Sequence, residues 1–235
     1  MKVAVIDGDS IAYMSGYCDS HVNAEASVSR LISNIMLATG SDRYELYIEE
    51  WRKDKKLFRR DFTSTYKVRD RPPGTVPFLN HARAFMISKW NAQVVMHYEA
   101  EDVVLRRAKE LRVNGDDPTV CFIDKDLLQY AGKFYNYQKQ MHRTLTEDEA
   151  TLRLWRQVCT GDQIDTVPGI IGIGPKKAKY AIQDPETAML DAARLYKLKS
   201  QTYEHFILQY NLIKLRDEET VELLYPMTEE EFNNA

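Results

Sequence analysis

The sequence predicts an α/β fold in which helices cover a parallel sheet. In its first half, short apolar runs rich in β-branched and aromatic residues alternate with longer segments of helical spacing. This alternation is typical of a parallel sheet with helices on its faces, and strands buried on both faces are apolar throughout. The predicted strands are Val3–Ile6, Leu46–Ile48, Val94–Tyr98 and Val120–Ile123.

The predicted helices divide the chain into two parts. Up to Asp126 they alternate with strands, and beyond it helical spacing dominates, with Thr146 placed to cap a helix. We therefore expect an α/β core over residues 1–145 and a helical region over 146–235, ending in a late strand and a frayed terminus. The predicted helices are Ile11–Leu37, Phe78–Trp90, Glu101–Leu111, Glu147–Cys159, Pro185–Tyr196 and Tyr203–Leu215; the late strand is Val221–Tyr225, and Glu229–Ala235 is expected to fray.

The composition is typical of a globular protein in a reducing compartment. Hydrophobic residues make up 44% of the 235 residues, and no apolar run approaches the length of about 20 residues that spans a bilayer. Three distant cysteines match neither a disulfide framework nor a zinc site. We therefore expect a cytoplasmic protein, without a signal peptide or a membrane partner, that is a monomer.

The net charge of −3 hides a strong local asymmetry. Between Arg52 and Arg71 there are nine Lys or Arg and three Asp, whereas the segment from Arg216 to Ala235 holds seven acids and one Arg. A basic segment of this density favours contact with a polyanion such as nucleic acid, although a solvated helix face would have the same composition.

Acidic residues follow each predicted strand directly. Because ligands bind at the carboxyl ends of strands in open α/β sheets, these acids are expected to converge on one edge. A single Asp in such a position is more often a turn or cap residue, but four groups would repel one another unless a cation lay among them. The groups are Asp7 with Asp9, Glu49 with Glu50, Glu99 with Glu101 and Asp102, and Asp124 with Asp126.

Carboxylates without His or Cys are typical ligands of Mg²⁺ or Mn²⁺, not of zinc. Two such ions about 3.5–4 Å apart can act on a phosphodiester. Asp162 and Asp165, at i and i+3, would lie on one face of a helical turn and complete a second metal site.

A glycine-rich segment follows these acids. The run GIGPKK at 172–177 would let the backbone N–H groups of Gly172 and Gly174 approach a phosphate, with Lys176 and Lys177 adding charge. A tight turn between two packed helices would explain the same residues.

Four motifs in order resemble the 5′-nuclease family: flap endonucleases, bacteriophage 5′→3′ exonucleases, and the 5′-nuclease domain of bacterial DNA polymerases. The resemblance runs from Val3 to about Arg216. A fifth segment, FRRDFTSTYKVRDRPP at 58–73, resembles the family's arch. The four motifs are VAVIDGDSIAY at 3–13, YEAEDVV at 98–104, FIDKDLLQY at 122–130 and GDQIDTVPGIIGIGPKKA at 161–178.

The resemblance implies a PIN-like α/β core with a helical arch at about 52–75 and a helix–three-turn–helix motif at about 158–182. It implies two Mg²⁺ or Mn²⁺ ions, and K⁺ as a further candidate at the helix–three-turn–helix. The implied ligands are Asp7, Glu49, Glu99, Glu101 and Asp102 at the first site, and Asp124, Asp126, Asp162 and Asp165 at the second.

The resemblance also implies the DNA contacts. Tyr66, Lys67 and Arg71 would lie near the scissile phosphate, and Lys67 is expected to be exposed. Phe58, Phe62 and Tyr66 could stack on unpaired bases, or simply pack the arch. The implied DNA-binding residues are Arg59, Arg60, Arg69, Gly172, Gly174, Lys176 and Lys177.

The sequence departs from the family pattern at three places. Glu49 or Glu50 stands where the family has Asp after the second strand, and Glu49 is favoured. Glu101 replaces the first Asp of Glu-Ala-Asp-Asp, and the Tyr-Lys pair is separated from Arg71-Pro72-Pro73 by three residues rather than two. Metal spacing and the roles of Arg69 and Arg71 are therefore left open.

The resulting hypothesis is a structure-specific 5′-nuclease that cuts DNA at a free 5′ end, a flap or a duplex–single-strand junction. A PIN-type ribonuclease, a catalytically silent DNA-binding protein, and a plain metal- or nucleotide-binding domain are the alternatives. The basic and glycine-rich segments disfavour the last of these.

Overall fold

A six-stranded sheet lies at the centre of the computed structural model, which describes residues 1–51, 56–68, 76–123 and 125–235. The strands are ordered β3-β2-β1-β4-β5-β6; the first five run parallel and β6 is antiparallel to β5. Their ranges are β1 (Lys2–Asp7), β2 (Arg43–Glu49), β3 (Gln93–Val95), β4 (Asp117–Phe122), β5 (Gly132–Asn136) and β6 (Met141–Leu145).

Helices cover both faces of this sheet. Alternate residues of β1 point to opposite faces, so Val3 and Val5 pack in one core while Ala4 and Ile6 pack in another. The ranges of the helices before the last sheet strand are α1 (Asp9–Gly16), α2 (His21–Thr39), α3 (Arg59–Phe62), α4 (Leu79–Trp90), α5 (Ala100–Val113) and a 3₁₀ helix (Lys125–Gln129).

The last ninety residues build a third core of their own. The remaining helices are α6 (Glu147–Thr160), α7 (Pro175–Ala181), α8 (Ala188–Leu198), α9 (Tyr203–Ile213) and α10 (Glu229–Asn234). Trp155 stacks between Phe206 and Tyr210, at centroid distances of 5.9 and 5.2 Å. Tyr66 packs in this helical core and Leu215 packs against the sheet, so the two parts interlock.

The α/β fold is confirmed, and a strand lies at each of the four predicted places, although β3 ends at Val95 and the predicted strand Val94–Tyr98 runs three residues too far. Thr146 caps α6 with Glu149 in a reciprocal capping box. Four element predictions are wrong. The segment Ile11–Leu37 forms two helices, α1 and α2, because Ser20 caps the second one. The strands β5 and β6 are additional to the predicted ones, and Val221–Tyr225 is not a strand. The C-terminal residues form the helix α10, which Thr228 caps, instead of fraying. The division at residue 145 remains an interpretation.

None of the helices in the described ranges is long and apolar enough to cross a membrane. Of the predicted arch at 52–75, the structure describes residues 56–68, which contain the single turn of α3. The helical arch itself remains a prediction.

Candidate active site

Acidic side chains lie at the carboxyl ends of neighbouring parallel strands. Asp7 ends β1 and Glu49 ends β2. Glu99 follows β3 as the N-cap of α5, and Asp126 follows β4 in the 3₁₀ helix. The strands are parallel, so these positions share one edge of the sheet, as the sequence predicts.

A cleft of about 610 Å³ opens at this edge. Glu49 lines it, whereas Glu50 does not, which supports the choice of Glu49 as the second-strand acid. Acids and cations therefore face the same space, an arrangement suited to a bound phosphate with accompanying cations. The charged lining residues are Asp7, Asp9, Glu49, Arg60, Lys67, Arg83 and Glu101.

Asp7 is held in place by its own turn. Its Oδ1 accepts the backbone N–H of Asp9 at 3.2 Å, and its Oδ2 accepts the hydroxyl of Ser10 at 3.4 Å. The Tyr137 hydroxyl donates to the Asp7 carbonyl at 3.1 Å. The carboxylate is therefore oriented by the end of β1 and the start of α1.

Asp9 and Arg83 also line the cleft; Asp9 is one of the acids expected at this edge but not one of the expected metal ligands, and Arg83 was not expected here. Asp9 Oδ2 accepts the backbone N–H of Glu49 at 2.7 Å, and Oδ1 accepts the guanidinium of Arg83 at 3.0 Å. Asp9 thus joins the ends of β1 and β2 and brings a cation from α4 into the cleft. The spacing of acids marks Asp9, but no motif marks Arg83 on its helix.

Lys67 lies among the acids. Its side chain is 18% exposed and pairs with Glu99, and its Nζ lies 3.4 Å from Asp165 Oδ2. The expectation of an exposed Lys67 is therefore wrong. Burial alone would raise the pKa of Glu99, but the charges of Lys67 and Arg59 hold it at about 2.

Arg59 is inside the protein, so its expected position on a DNA-binding surface is wrong. The side chain is 1% exposed and donates to Glu99 at 2.8 Å and to both oxygens of Asp102 at 2.7 Å. It also donates to the carbonyl of Lys214 at 2.8 Å. Arg59 therefore holds α3, α5 and the end of α9 together.

Both carboxylate oxygens of Asp102 accept hydrogen bonds from other groups of the protein. Besides Arg59, its Oδ1 accepts the backbone N–H of Arg216 at 2.7 Å and its Oδ2 accepts that of Glu99 at 3.2 Å. The residue is completely buried. This arrangement makes Asp102 a positioning residue for Glu99 and α5, which corrects its assignment as a metal ligand.

Tyr66 and Phe58 are core residues, not exposed stacking surfaces. The Tyr66 side chain is 2% exposed, and its hydroxyl donates to Glu99 Oε2 at 2.8 Å. Phe58 is buried against Phe62 and Tyr98 at centroid distances of 5.7 and 5.4 Å. The expected projection of Tyr66 toward a scissile phosphate is wrong in this structure, and the packing alternative holds for Phe58.

The remaining predicted arch residues divide into two groups. Arg60 lines the cleft and donates to the carbonyls of Tyr66 and Lys67, both at 3.3 Å. Arg69 and Arg71 lie outside the described residues. Among the arch residues that the structure describes, Arg60 is thus an arginine that faces the cleft.

Asp162 and Asp165 lie in a tight turn instead of the expected helical turn. Asp162 and Val167 exchange backbone hydrogen bonds of 2.8 Å across it. Asp162 Oδ1 accepts the N–H groups of Ile164 and Asp165 at 2.8 and 3.3 Å. Its Oδ2 lies 3.4 Å from the Nζ of Lys125.

Asp126 is buried and accepts the side-chain amide of Gln157 at 2.7 Å. Asp124, the remaining ligand expected at the second metal site, lies outside the described residues. The side chains that the structure does show of this expected cluster are therefore Asp126, Asp162 and Asp165, each with protein donors nearby.

Within the described ranges, no three Asp, Glu, His or Cys side chains lie close enough together to hold a metal ion. Two compact clusters are therefore not visible in this part of the chain. The lining of the cleft still has the chemistry of a hard-cation site. Carboxylates of Asp7, Glu49 and Glu101 face it, and a cation, the Lys67 ammonium, lies between Glu99 and Asp165.

The glycine-rich segment depends on glycine where it turns. Gly161 has φ +68°, and a Cβ there would lie 2.2 Å from the carbonyl oxygen of Val167. Gly172, with φ +79°, and Gly174 have open space around the Cβ position. Lys176 and Lys177 are exposed on α7, and Lys177 donates to the Gly172 carbonyl at 2.9 Å. The open backbone here suits close approach by a ligand.

The chain shares its fold with solved structures of 5′-nucleases. Solved structures of the D15 protein of bacteriophage T5 superpose on it with TM-scores of 0.75 and 0.76, at 15% identity, over 92% of this chain and 90% and 89% of theirs. The first was co-crystallised with metal ions, and the second is a flap endonuclease in complex with DNA and metal ions. The resemblance inferred from the motifs is confirmed.

Two further comparisons agree. The catalytic core of Rad2, in complex with DNA substrate, matches with a TM-score of 0.51 and 13% identity over 86% of this chain and 66% of that one. DNA polymerase I of Rhizobium leguminosarum is 28% identical over 162 residues, which are 61% of this chain. The match covers 16% of that polymerase. No protein-family profile matches the chain.

Proposed function

We propose that this chain is a divalent-metal-dependent, structure-specific 5′-nuclease that hydrolyses DNA phosphodiester bonds. The observation that carries the proposal is the cleft at the sheet edge, where Asp7, Glu49 and Glu101 face the same space as Arg60 and Lys67. The likeness to D15 supports it, because that protein shares the fold and is a flap endonuclease solved with DNA and metal ions.

The metal proposed for this cleft is Mg²⁺ or Mn²⁺, bound as two ions. Asp7, Glu49 and Glu101 would hold the first, with Glu99 behind them, and Asp124, Asp126, Asp162 and Asp165 would serve the second. Such ions lower the pKa of a bound water and stabilise a leaving oxygen. K⁺ at the helix–three-turn–helix is a further part of the proposal.

The chain's own residues orient the phosphate and balance its charge. Arg60 and Lys67 lie on the cleft wall, where they would offset negative charge on the phosphate oxygens. Arg59 and Asp102 fix Glu99 from behind. Water adds to phosphorus as the bond to the 3′ oxygen breaks, and the products carry a 5′-phosphate and a 3′-hydroxyl.

The proposed substrate is DNA with a free 5′ end, a flap or a duplex–single-strand junction. Gly172, Gly174, Lys176 and Lys177 would contact the duplex backbone, since they are exposed in one turn of chain. A monomer would suffice, because one chain supplies the whole cleft. The three cysteines are unpaired, which fits the proposed reducing, cytoplasmic setting.

A Mg²⁺ titration on 5′-labelled flap DNA, with a matched RNA flap and an EDTA arm, tests the proposal. We expect metal-dependent cleavage of DNA near the junction and little cleavage of RNA. Asp7→Asn should lower the single-turnover rate at least about 10²-fold, whereas the exposed terminal variant Glu230→Gln should leave it unchanged. Preferred RNA cleavage would favour a PIN-type ribonuclease. Binding without any metal-dependent cleavage would favour a silent DNA-binding protein.

A further inference from the structure

A second groove, of about 440 Å³, lies between the 3₁₀ helix, α6 and α7. None of the residues that line it also lines the cleft at the sheet edge. Among the lining residues that the structure describes, five are cationic and one is acidic, so this part of the groove has a positive excess, although the Nζ of Lys125 also lies 3.4 Å from Asp162 Oδ2. The charged lining residues are Lys125, Arg143, Glu149, Arg153, Arg156 and Lys179.

Some of these charges are already used within the protein. Arg156 donates two hydrogen bonds to the carbonyl of Ile182, at 2.9 and 2.7 Å, and so fixes the end of α7. Glu149 lies 3.6 Å from Arg143 and also accepts the backbone N–H of Thr146 at 3.1 Å. Glu149, the acid among the described lining residues, therefore both caps α6 and pairs with Arg143.

Arg153 is a partly buried cation of the groove with one acidic neighbour, Glu149. It is half-buried on α6, and in the described part of the chain it takes part in no ion pair; its charged neighbours are Arg143, Arg156 and Glu149. Burial, together with the two arginines, lowers its pKa. A partly desolvated guanidinium beside two others gains most from an anion that several of them can share.

We infer that Arg143, Arg153 and Lys179 form a second binding site for backbone phosphates of the DNA. The site rests on the proposed nuclease function, and it adjoins the contact expected at the Gly172–Lys177 turn, because Pro175 of that turn also lines the groove. The groove ends at Thr160, Gly161 and Pro175, within the helix–three-turn–helix segment. Lys179 lines this groove and also borders the neighbouring pocket of Lys176 and Lys177, so the cations of α7 connect the two surfaces.

The groove suits the sugar–phosphate backbone better than a base. Seven of the lining residues that the structure describes are arginines, lysines or glutamines, and none of them is an aromatic residue that could stack on a base. Phosphate contacts of this kind contribute affinity and salt dependence without sequence preference.

The experiment measures binding of flap DNA by fluorescence anisotropy in Ca²⁺ without Mg²⁺, at several salt concentrations. Arg153→Gln and Arg143→Gln should each raise the Kd several-fold and reduce the slope of log K against log salt by about 1. Arg153→Lys retains the charge and should restore most of the slope. Arg30→Gln, an exposed arginine on α2 outside the groove, is the matched control and should behave as wild type.

Wild-type Kd and salt slope in both Arg153→Gln and Arg143→Gln, with normal melting temperatures, would overturn the site. An equal loss in Arg30→Gln would also overturn it, because the effect would then be one of net charge. The nuclease proposal fails separately, if wild type binds DNA in Ca²⁺ but does not cleave it in Mg²⁺.

Discussion

Arg59 shows how a charged residue can organise a site without touching its ligand. Its guanidinium donates hydrogen bonds to both oxygens of Asp102 and to one oxygen of Glu99. It also lies 4.7 Å from the ring centroid of Phe58. A buried charge left alone costs several kcal/mol, so the carboxylates and the arginine require one another. The position of Glu99, which is buried behind the acids that line the cleft, is thereby fixed.

Lys67 carries the first prediction at the scale of single residues. Its ammonium is the charge placed between Glu99 and Asp165, so Lys67→Ala should slow single-turnover cleavage by about 10²–10³-fold. Glu99 would keep Arg59 and Tyr66 as partners, so the free energy of unfolding should fall by only about 1–3 kcal/mol. Rapid-quench cleavage assays and urea unfolding measure the two effects.

Lys67→Arg should retain part of the rate, because it restores the charge. Lys89→Ala, an exposed lysine on α4 outside the cleft, serves as the control for both measurements. A normal single-turnover rate in Lys67→Ala, together with reduced stability, would mean that this lysine only neutralises Glu99.

Glu45 carries a prediction about pH. Its side chain is 10% exposed, and it accepts Arg107 at 2.6 and 3.0 Å and the Tyr47 hydroxyl at 2.8 Å. Burial alone would raise the pKa of Glu45, but the hydrogen bonds from Arg107, Arg43 and Tyr47 lower it from 4.5 to about 2. The resulting stability is present above about pH 4.5 and is lost as the pH falls toward 2.

Glu45→Gln should therefore flatten the acid side of the stability profile. Between pH 6 and pH 2.5, the wild-type free energy of unfolding should fall by up to about 3 kcal/mol more than that of the variant. Chemical denaturation at a series of pH values measures this. Glu110 is the half-exposed second partner of Arg107, so Glu110→Gln should show the wild-type dependence of stability on pH. Parallel stability profiles for wild type, Glu45→Gln and Glu110→Gln would contradict the lowered pKa of Glu45.

At this scale the sequence predicts which residue types form the site better than where they point. The acids after the strands are placed correctly, because a parallel sheet brings strand ends to one edge whatever the details of packing. Arg59 and Tyr66 are placed wrongly, because both depend on distant partners: Arg59 donates to the carbonyl of Lys214, and Tyr66 packs in the core of the helical region. No local pattern records such a contact.

The turn between α6 and α7 carries the prediction at the scale of elements. Gly161 and Gly169 approach so closely that a Cβ on Gly169 would lie 2.4 Å from the Gly161 backbone nitrogen, and both have positive φ. Gly161→Ala should therefore lower the free energy of unfolding by more than about 1–2 kcal/mol, since strain and backbone contact add. Thermal unfolding followed by circular dichroism measures this.

Gly174→Ala is the matched control, because its φ is −93° and its Cβ position is open. Its stability should stay within about 0.5 kcal/mol of wild type. Equal melting temperatures for Gly161→Ala and Gly174→Ala would contradict the close approach of the turn. A loss of DNA affinity in Gly174→Ala without loss of stability would support the proposed backbone contact.

Elements were predictable where hydrophobic periodicity was strong. The apolar strands β1 and β4 were found because they are buried on both faces. β5 and β6 were missed because four of the five residues in β6 are exposed and its sequence, MHRTL, carries little apolar signal. α10 was missed because a six-residue helix depends on its cap, Thr228 with Glu231, more than on periodicity.

For the molecule as a whole, the order of motifs predicts the fold and the broad position of the site. The net charge of −3 does not reveal how the charges are distributed in the folded protein. Acids lie at the sheet edge, whereas cations line the groove between α6 and α7. What sequence could not predict is how far the acids would be neutralised by Lys67, Arg59 and Arg83, because those pairs join distant parts of the chain.

The final prediction concerns the whole molecule, because a cation that binds only to the native cleft stabilises the entire fold. Mg²⁺ or Mn²⁺ at about one hundred times its Kd should stabilise the native state by about 2.7 kcal/mol, which is about 5–10 °C in Tm for a chain of this size. Differential scanning fluorimetry in EDTA, Mg²⁺ and Mn²⁺ measures the shift. Asp7→Asn should reduce it, whereas Glu230→Gln should not. The absence of any metal-dependent shift in wild type, or the same shift in Asp7→Asn, would show that these carboxylates do not hold the metal.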